Sequence, residues 1–531
     1  MAADYRQYRA PQQDNSALVD PGWRELFDLA ANATHQRLTL AGEPLEAIAA
    51  SARQELLASA ATFTGAYSNV QQSPPAGPII VSGHQPQLFH AGVWFKNFAL
   101  DAIAKATGGV GVNLIIDSDL CREVSIRVPS GELQSPRVIT VPYDAPSDSA
   151  PYEQRNVNDR KVLEAFPQQV TQAIGPLMSG PLVNELWQRV EAARESNDRL
   201  GLILSRARHR LEQSWGVSTL ELPFSRVCDT RSFRVFAIEL FGRAEAFQRA
   251  YNAALADYRA AHKLRSDAQP LPDLGAQGDW VETPFWFWQE EQPTRRPLFA
   301  RPAGSGVELS DLSGWSCGLS GDTEQAVEQL ALQRERGAKI RSRALATTLY
   351  CRMVLADLFL HGIGGAKYDQ VTDRVSERFF GVAPPRHGTL SATFRLPIEH
   401  ESVTADSRRR LRGKLRDMRY HPEHALHEPN KEAAIWLRQK QEWIAQEKTP
   451  ENARERHQAI EQSNLALQQH LAAERQQLVD SLEAADSAIR SSALLDSREY
   501  SYCLFPAEDL RDRVSALLPK KSFWVTSRAQ E

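Results

Sequence analysis

The sequence lacks several features that mark whole classes of protein. Its 531 residues include five scattered cysteines, with no CxxC pair and no spacing typical of a metal site. No apolar run approaches the roughly 20 residues of a membrane-spanning helix. The polar start MAADYRQYRAPQQDNSALVD lacks the apolar segment of a secretory signal. These absences predict a cytoplasmic protein that has no metal site built from its cysteines and does not associate with a membrane.

A surplus of charge of one sign is also absent. The 62 basic residues nearly balance the 66 acidic ones, which leaves a net charge of −4. Proteins that bind nucleic acids through their general charge carry a basic surplus, so we expect small-molecule substrates rather than nucleic acid as partners. The length predicts two or three domains, because a single core rarely serves so long a chain.

Glycine and proline are almost absent between residues 430 and 490, where EKTPENA is the one interruption. Thr449 suits an N-cap and Pro450 the first helical position, so the segment predicts an antiparallel helical hairpin. Its second arm carries apolar residues at the spacing of a coiled-coil seam, namely Ile460, Leu467, Leu471, Leu478, Leu482, Ala485 and Ile489. A second subunit commonly stabilises such a hairpin, so we expect a homodimer.

Polar residues are concentrated at one predicted strand-to-helix junction. PIIVSG reads as a buried strand, residues 93–107 as a helix ending at Gly108, and VGVNLIIDSD as the next strand, which together form a β–α–β unit. The unpaired N–H groups of a helix N-terminus favour anions. Gly83, His84, Gln85 and His90 are therefore candidates to bind an anionic group. The alternative is that His84 and Gln85 only cap a tight turn.

Two aspartates end the second strand of this unit. Asp117 and Asp119 lie two residues apart, so in an extended chain both side chains face the same side. Ligands bind at the carboxyl ends of parallel strands. The pair is therefore predicted to bind an ammonium group or Mg²⁺, or to act as a base.

A second junction of the same kind occurs in LFLHGIGGAKYDQ. Its glycines, Gly364 and Gly365 among them, predict a loop that exposes N–H groups to a phosphate or a carboxylate. Lys367 and Tyr368 are expected in the first helical turn. Two such junctions predict a doubly wound α/β sheet with long insertions.

An aromatic segment, PFWFW, precedes a pair of arginines. Trp286 and Trp288 alternate to one side, with Arg295 and Arg296 nearby. An aromatic wall beside a basic pair is suited to a sugar or an acid. The alternative is that these aromatic side chains belong to the core.

The order of these features resembles the bacillithiol synthase family, the cysteine-adding enzymes of bacillithiol biosynthesis. The shared features are Gly83-His84-Gln85, where the family has GQQ, then Leu88-Phe89, the acidic strand end, the glycine pair and the helical hairpin. The segment 341–355, which Arg341 begins, also resembles the family. The resemblance implies a Rossmann-like core, dimerisation through the hairpin and ligation of an amino acid to a small polar acceptor.

We therefore predict an N-terminal helical segment (1–75), a Rossmann-like α/β core with helical insertions (76–400), an antiparallel coiled-coil arm (401–495) and a C-terminal segment that docks on the core (496–531). The predicted catalytic residues are His84, Asp117 and Asp119. Substrate binding is assigned to Gly83, Gln85, His90, Trp286, Arg296 and Arg341. Anion or nucleotide binding is assigned to Gly364, Gly365, Lys367 and Tyr368, which leaves a nucleotide with Mg²⁺ as an open cofactor. The alternatives are an ATP-dependent nucleotidyl transferase, in which HAG is a remnant of the HIGH signature, and a non-catalytic coiled-coil assembly protein.

Overall fold

The computed structural model describes residues 5–33, 36–68, 77–146, 150–265, 271–400 and 405–520. The first half contains β1 (Ser16–Asp20), α1 (Trp23–Ala31), β2 (Thr39–Leu40), β3 (Glu43–Pro44), α2 (Leu45–Gly65), β4 (Ile79–His84), α3 (Ala91–Thr107), β5 (Val110–Ile115), β6 (Ser125–Ser130), β7 (Arg137–Pro142), α4 (Arg160–Ile174), α5 (Val183–Arg194), α6 (Leu200–Ser214), β8 (Leu220–Pro223), α7 (Phe224–Cys228), α8 (Arg231–Gly242) and α9 (Ala244–His262).

The second half contains β9 (Ala276–Gln277), β10 (Trp280–Gln289), β11 (Gln292–Ala303), β12 (Gly306–Ser310), β13 (Ser316–Leu319), α10 (Thr323–Glu335), β14 (Ala338–Ser342), α11 (Ala344–Tyr350), β15 (Leu358–His361), α12 (Ile363–Phe379), β16 (His387–Thr393), α13 (Ala405–Tyr420), α14 (Lys431–Ala445), α15 (Ala453–Gln469), α16 (Ala472–Leu495) and α17 (Ala507–Leu517). A π-helical turn, Cys351–Leu355, follows α11. The chain is thus a mixed α/β protein.

Six strands form the central sheet in the order β1-β16-β15-β4-β5-β8. Neighbouring strands are parallel, except that β1 runs antiparallel to β16. β4 is the first of the parallel strands in the chain and lies in the middle of the sheet. β5 and β8 follow on one side, and β15 and β16 on the other. The strand order therefore reverses between β4 and β15, the place where open α/β sheets bind their ligands.

Both faces of this sheet are covered, which explains the uninterrupted apolar runs of its strands. In β4, Ile79 and Val81 pack into a core with α2, α8 and α9, whereas Ile80 packs into a second core that contains α3. α3 joins β4 to β5 and ends where Gly108 adopts a φ of 66°. The predicted β–α–β unit is confirmed, with the helix beginning at Ala91, two residues before the predicted position.

The second junction differs from its prediction. α12 begins at Ile363 with Gly362 as its N-cap, so Gly364 and Gly365 lie in the first helical turn. The prediction of a glycine-rich loop, with Lys367 in the first turn, was wrong. β15 ends at His361, and a single residue connects it to α12. That spacing leaves no room for a loop.

A second, antiparallel sheet has the order β13-β12-β11-β10-β14 and contains the aromatic segment. The pairing of β10 with β11 shifts register twice, between Glu282 and Trp286 and between Phe287 and Gln289. Such irregularities change which side chains face a given side of a sheet. Elsewhere, β6 and β7 pair as an antiparallel hairpin.

Helices α13 to α16 form a long hairpin in which α13 packs on α16 and α14 packs on α15. The predicted seam residues are buried or half-buried. α15 begins at Ala453 with Asn452 as N-cap, so the predicted start at Pro450 was wrong. Thr449 instead donates its N–H to Asn452 Oδ1 at 2.9 Å, which closes a turn before the helix. The second arm is also divided between α15 and α16, a break that the apolar spacing does not predict.

After the hairpin, Tyr500, Tyr502 and Phe505 pack into the core that contains α3. The predicted domain boundaries at 75/76 and 400/401 lie outside the described residues. All five cysteines are buried free thiols. The helices of the described residues include none with the length and apolar character of a membrane span.

Candidate functional site

A cavity of about 970 Å³ opens beside the reversal point of the central sheet. Both strand-to-helix junctions, the segment after β5 and part of the second sheet form its wall. The predicted site residues that line it are Gly83, His84, Gln85, His90, Asp119, Trp286, Gly364, Gly365, Lys367 and Tyr368. The other predicted residues, Asp117, Arg296 and Arg341, lie outside its lining.

His84 ends β4 at the cavity wall. Its Nδ1–H donates to the Gln85 carbonyl oxygen at 3.1 Å, and its ring packs edge-on against Phe89, with 4.8 Å between the ring centroids. Burial, and then the positive charge of Lys96, lower the pKa of His84 to about 3. The imidazole is therefore neutral at pH 7. Its free Nε2 offers a lone pair, rather than a proton, to a ligand.

Lys96 lies inside α3, where it is almost fully buried. Its Nζ donates to the Gly83 carbonyl oxygen at 2.6 Å. Burial, and then the nearby charge of Arg208, lower the pKa of Lys96 to about 7. A strongly perturbed lysine at a cavity wall is a common sign of a functional site.

His90 precedes α3 and faces the C-terminal segment. Its Nε2 lies 3.8 Å from a carboxylate oxygen of Glu499. Burial lowers the pKa of His90 to about 4, despite the opposing effect of Glu499. Gly92 lets this end of α3 approach β16, because a Cβ there would lie 2.0 Å from the Ala392 carbonyl oxygen. Arg498 donates to that same oxygen at 3.0 Å.

Asp119 is held on both carboxylate oxygens. Gln85 Nε2 donates to Oδ2 at 2.9 Å, and Arg295 donates to Oδ1 at 2.9 Å. The Asp119 side chain remains 41% exposed and lines the cavity. Asp119 therefore connects the first junction to the second sheet while keeping room for a ligand.

Trp286 carries two guanidinium groups over its ring. The Cζ atoms of Arg343 and Arg295 lie 3.9 Å and 4.6 Å from the ring centroid. Arg343 is also held by Glu282, to which it donates at 2.6 Å. The Nε atoms of both arginines are buried without a hydrogen-bond partner among the described residues. The predicted aromatic wall is reduced to Trp286, because Trp288 is buried and lies outside the cavity lining, and the basic pair is Arg295 with Arg343.

The other predicted arginines serve different contacts. Arg296 donates to Asp311 at 2.8 Å. Arg341 is 1% exposed and pairs with Glu153 and Asp229, each at 2.9 Å. The structure therefore places Arg296 and Arg341 in ion pairs outside the cavity.

Asp117 is separated from Asp119. It accepts hydrogen bonds from Ser225, from N at 2.8 Å and from Oγ at 2.6 Å, and it is 3% exposed. Burial, and then the charge of Glu153, raise the pKa of Asp117 to about 7. The expectation that both aspartates face one side was wrong, because β5 ends at Ile115 and the chain then turns.

The second junction contributes His361, the last residue of β15, and the first turns of α12. His361 Nε2 lies 2.8 Å from Oδ2 of the buried Asp369. Lys367 and Tyr368 follow on α12 and line the cavity further along the helix. A histidine bound to a carboxylate is thus placed on the wall formed by the second junction.

The charge of the lining is unbalanced. The basic side chains are Arg9, Lys96, Arg295, Arg343, Lys367 and Arg498, and the carboxylates are Asp119 and Glu499. Low-dielectric walls strengthen the field of such a cluster inside a cleft. The arrangement is suited to ligands that carry carboxylate or phosphate groups.

Two groups of side chains have the spacing of metal ligands among the described residues. They are His361, Asp369 and His387 in the body, and His421, Glu423 and His424 on the hairpin. In the first group, Arg352 donates to the same Asp369 oxygen, at 2.5 Å. We assign no metal to either group.

Sequence reasoning missed several lining residues. Lys96 had a usable signal, since a lysine within the apolar run VWFKNFAL is placed on a buried helix face. His361 stood inside the quoted glycine segment but was not proposed. Arg343 and Arg498 had no local signal, because only the tertiary fold brings them to the cavity.

Neither a protein-family model nor a curated protein matches this chain.

Proposed function

We propose that this protein is a ligase of the bacillithiol synthase type, which joins an amino-acid-like substrate to a small polar acceptor in the cavity. The observation that carries the proposal is the convergence of six basic side chains on one cavity at the reversal point of the sheet. A volume of about 970 Å³ is at the upper end for ligand pockets. It has room for two small polar molecules side by side.

The contacts suggest a division of the cavity. Arg295 and Arg343, which lie over Trp286, are suited to a substrate carboxylate because guanidinium groups bind carboxylates in a bidentate manner. The exposed part of Asp119 is suited to an ammonium group. The N-terminus of α12, with Lys367 on the same helix, is suited to a second anion.

The strand order supports a Rossmann-like core, since a central strand is followed by strands on one side and then on the other. The long hairpin after this core also agrees with the family resemblance.

The test is to incubate the full chain with cysteine and glucosaminyl malate, the substrates that the resemblance implies, with and without MgATP. We expect a product whose mass equals both substrates less one water. Arg343→Ala should lower kcat/KM by roughly 10- to 100-fold, the usual effect of losing a charge-assisted hydrogen bond. Arg301 is the matched control, because its Cζ lies 4.3 Å from the centroid of the Trp280 ring, outside the cavity lining.

The absence of product, together with no thermal stabilisation by either substrate, would contradict this ligation. Release of pyrophosphate, with MgATP binding that Lys367→Ala abolishes, would favour nucleotidyl transfer instead.

We also propose a homodimer that forms through the outer part of the hairpin. Large apolar side chains are exposed there, namely Tyr420, Ile435, Ile444 and Leu465. Because the seam residues pack within one chain, these outer side chains are the ones available to a partner. Replacing residues 421–470 by a short linker should convert a dimer into a monomer in light scattering. A full-length protein that is monomeric at micromolar concentration would exclude the dimer.

A further inference from the structure

His361 is hydrogen-bonded to a buried carboxylate, unlike the cavity histidines His84 and His90. Its Nε2 lies 2.8 Å from Asp369 Oδ2, and Asp369 is almost completely buried. Burial alone would raise the pKa of this carboxyl, but Arg352 and the neighbouring imidazoles lower the pKa of Asp369 well below its ordinary value. An ionised carboxylate only accepts hydrogen bonds. His361 Nε2 is therefore the donor, which leaves Nδ1 with the lone pair.

Arg352 keeps the carboxylate in place. Its guanidinium is 2% exposed, donates to Asp369 at 2.5 Å and to Asp373 at 2.8 Å, and also bonds the Pro385 carbonyl oxygen. Asp369 thus has a fixed position and a fixed charge. Both properties are required of a group that orients an imidazole.

Gly365 lies closely against Nδ1 of His361. A Cβ at Gly365 would lie 2.5 Å from His361 Nδ1. A Cβ at the neighbouring Gly364 would meet nothing within 4 Å. Among the described residues, no hydrogen bond engages Nδ1, and His361 lines the cavity. Nδ1 thus has no hydrogen-bond partner in this part of the chain, and it belongs to a residue that is 5% exposed and borders the cavity.

A metal ion is a poor occupant for this cluster. His387 Nδ1 lies 3.4 Å from the same Asp369 oxygen, which completes the spacing of a three-ligand site. Arg352 already supplies a positive charge to that oxygen, and a second cation there would be repelled.

We propose that His361, positioned by Asp369, is the base that deprotonates the attacking amine of the acceptor substrate. This inference rests on the proposed ligation. The step is a proton transfer only: an N–H bond of the substrate ammonium breaks, its electron pair stays on nitrogen, and the proton goes to His361 Nδ1. Asp369 stabilises the imidazolium that forms. Lys96 is the rival base on the cavity wall.

The first test needs no substrate. Long-range ¹H–¹⁵N NMR of the full chain with ¹⁵N-labelled histidine, at pH 7.5, reports which ring nitrogen carries the proton, and His361→Gln assigns the signal. We expect the Nε2–H tautomer for His361. Asp369→Asn should shift it toward Nδ1–H, because the new amide can donate to Nε2. An Nδ1–H tautomer in the wild type, or a doubly protonated ring, would overturn the proposal.

The second test uses whichever amine and carboxylate pair yields a product. His361→Ala should lower kcat by roughly 10²- to 10⁴-fold with little change in KM, the usual effect of losing a general base, and added imidazole should restore part of it. The control is His457→Ala, on the exposed surface of the hairpin. An unchanged kcat in His361→Ala, or a loss seen only in Lys96→Met, would overturn the assignment. If no pair yields a product, the ligation fails while the tautomer test still decides the state of His361.

Discussion

The two strand-to-helix junctions, β4–α3 and β15–α12, are neighbours in the sheet, and each places a histidine on the same cavity wall. At the first, His84 Nδ1 donates to a backbone carbonyl, and burial beside Lys96 lowers its pKa to about 3. At the second, His361 bonds a buried carboxylate that Arg352 holds. Equivalent positions in the fold therefore carry different chemistry.

The difference shows that strand position decides where a side chain lies, whereas its partner decides what the side chain does. The neutral imidazole of His84 donates Nδ1–H to a carbonyl oxygen and can accept a hydrogen bond at Nε2. With a pKa of about 3 it is a poor base. An imidazole backed by a carboxylate gains stabilisation when it takes up a proton. The four changes that follow test this contrast.

Removing the arginine that holds Asp369 should have the largest effect on stability. Arg352→Ala leaves the Asp369 carboxylate buried without its main partner, and breaking a buried ion pair costs about 3–5 kcal/mol. Arg374→Ala, on α12 like Asp369, is the control, because its pair with Glu377 is exposed and contributes at most about 1 kcal/mol. Urea unfolding measures both values. A cost below 1 kcal/mol for Arg352→Ala would remove the contrast between the junctions.

Alanine substitutions at the adjacent glycines Gly364 and Gly365 should have the next largest effect on stability. Gly365→Ala places a Cβ against His361 Nδ1 and should destabilise the protein by about 1–3 kcal/mol, the usual cost of overpacking. Gly364→Ala meets no neighbour and should stabilise α12 by up to about 1 kcal/mol, because alanine favours helices. Thermal unfolding of the two variants measures this difference. Equal melting temperatures would show that the space at Nδ1 is not restricted.

The first junction is tested by how the free energy of unfolding changes with pH. Burial and Lys96 lower the pKa of His84 from 6.5 to about 3, so between these values the unfolded chain binds one proton more than the folded chain. The contribution of His84 to the free energy of unfolding is complete above pH 6.5. It decreases as the pH falls, by up to about 1.4 kcal/mol per pH unit. His84→Gln should reduce this slope in urea titrations between pH 6.5 and 5. Identical slopes in both proteins would place His84 in contact with solvent.

The smallest effect is expected for Gln85→Ala. It removes one hydrogen bond to Asp119, while Arg295 still holds that carboxylate, so the cost should be about 0.5–1.5 kcal/mol. Gln85→Glu, which places two carboxylates together, should cost more in the same unfolding assay. A loss above 3 kcal/mol for the alanine variant would mean that the first junction also depends on a buried polar network.

Much of the local structure follows from the sequence because its signals are local. Apolar runs bounded by Gly83 and Gly108 predict β4, α3 and β5, since strand burial and helix termination depend on residues close in the chain. The helical hairpin follows from the near absence of glycine and proline. Helix starts are predicted less accurately. Pro450 was predicted to begin a helix that begins at Ala453, and Gly364 was predicted in a loop but lies in the first turn of α12.

The aromatic wall shows where sequence reasoning stops. Trp286 was predicted and lines the cavity, but the arginines over its ring are Arg295 and Arg343, whereas Arg296 pairs with Asp311. The pairing of β10 with β11 shifts register twice, so the side chains do not alternate strictly between the two faces of the sheet. A period of two residues in the sequence carries no information about such shifts.

The sequence by itself thus determined the strands and helices that form both junctions, and with them the edge of the sheet beside which the cavity lies. Only the tertiary structure decided which polar side chains meet there. Arg295 reaches Asp119 across 176 residues, and Arg352 and His361 reach Asp369 only once the π-helical turn, β15 and α12 have packed together. The physical reason is that hydrophobic periodicity is a property of neighbouring residues. An ion pair instead depends on the distance between two side chains in the folded chain and on their burial.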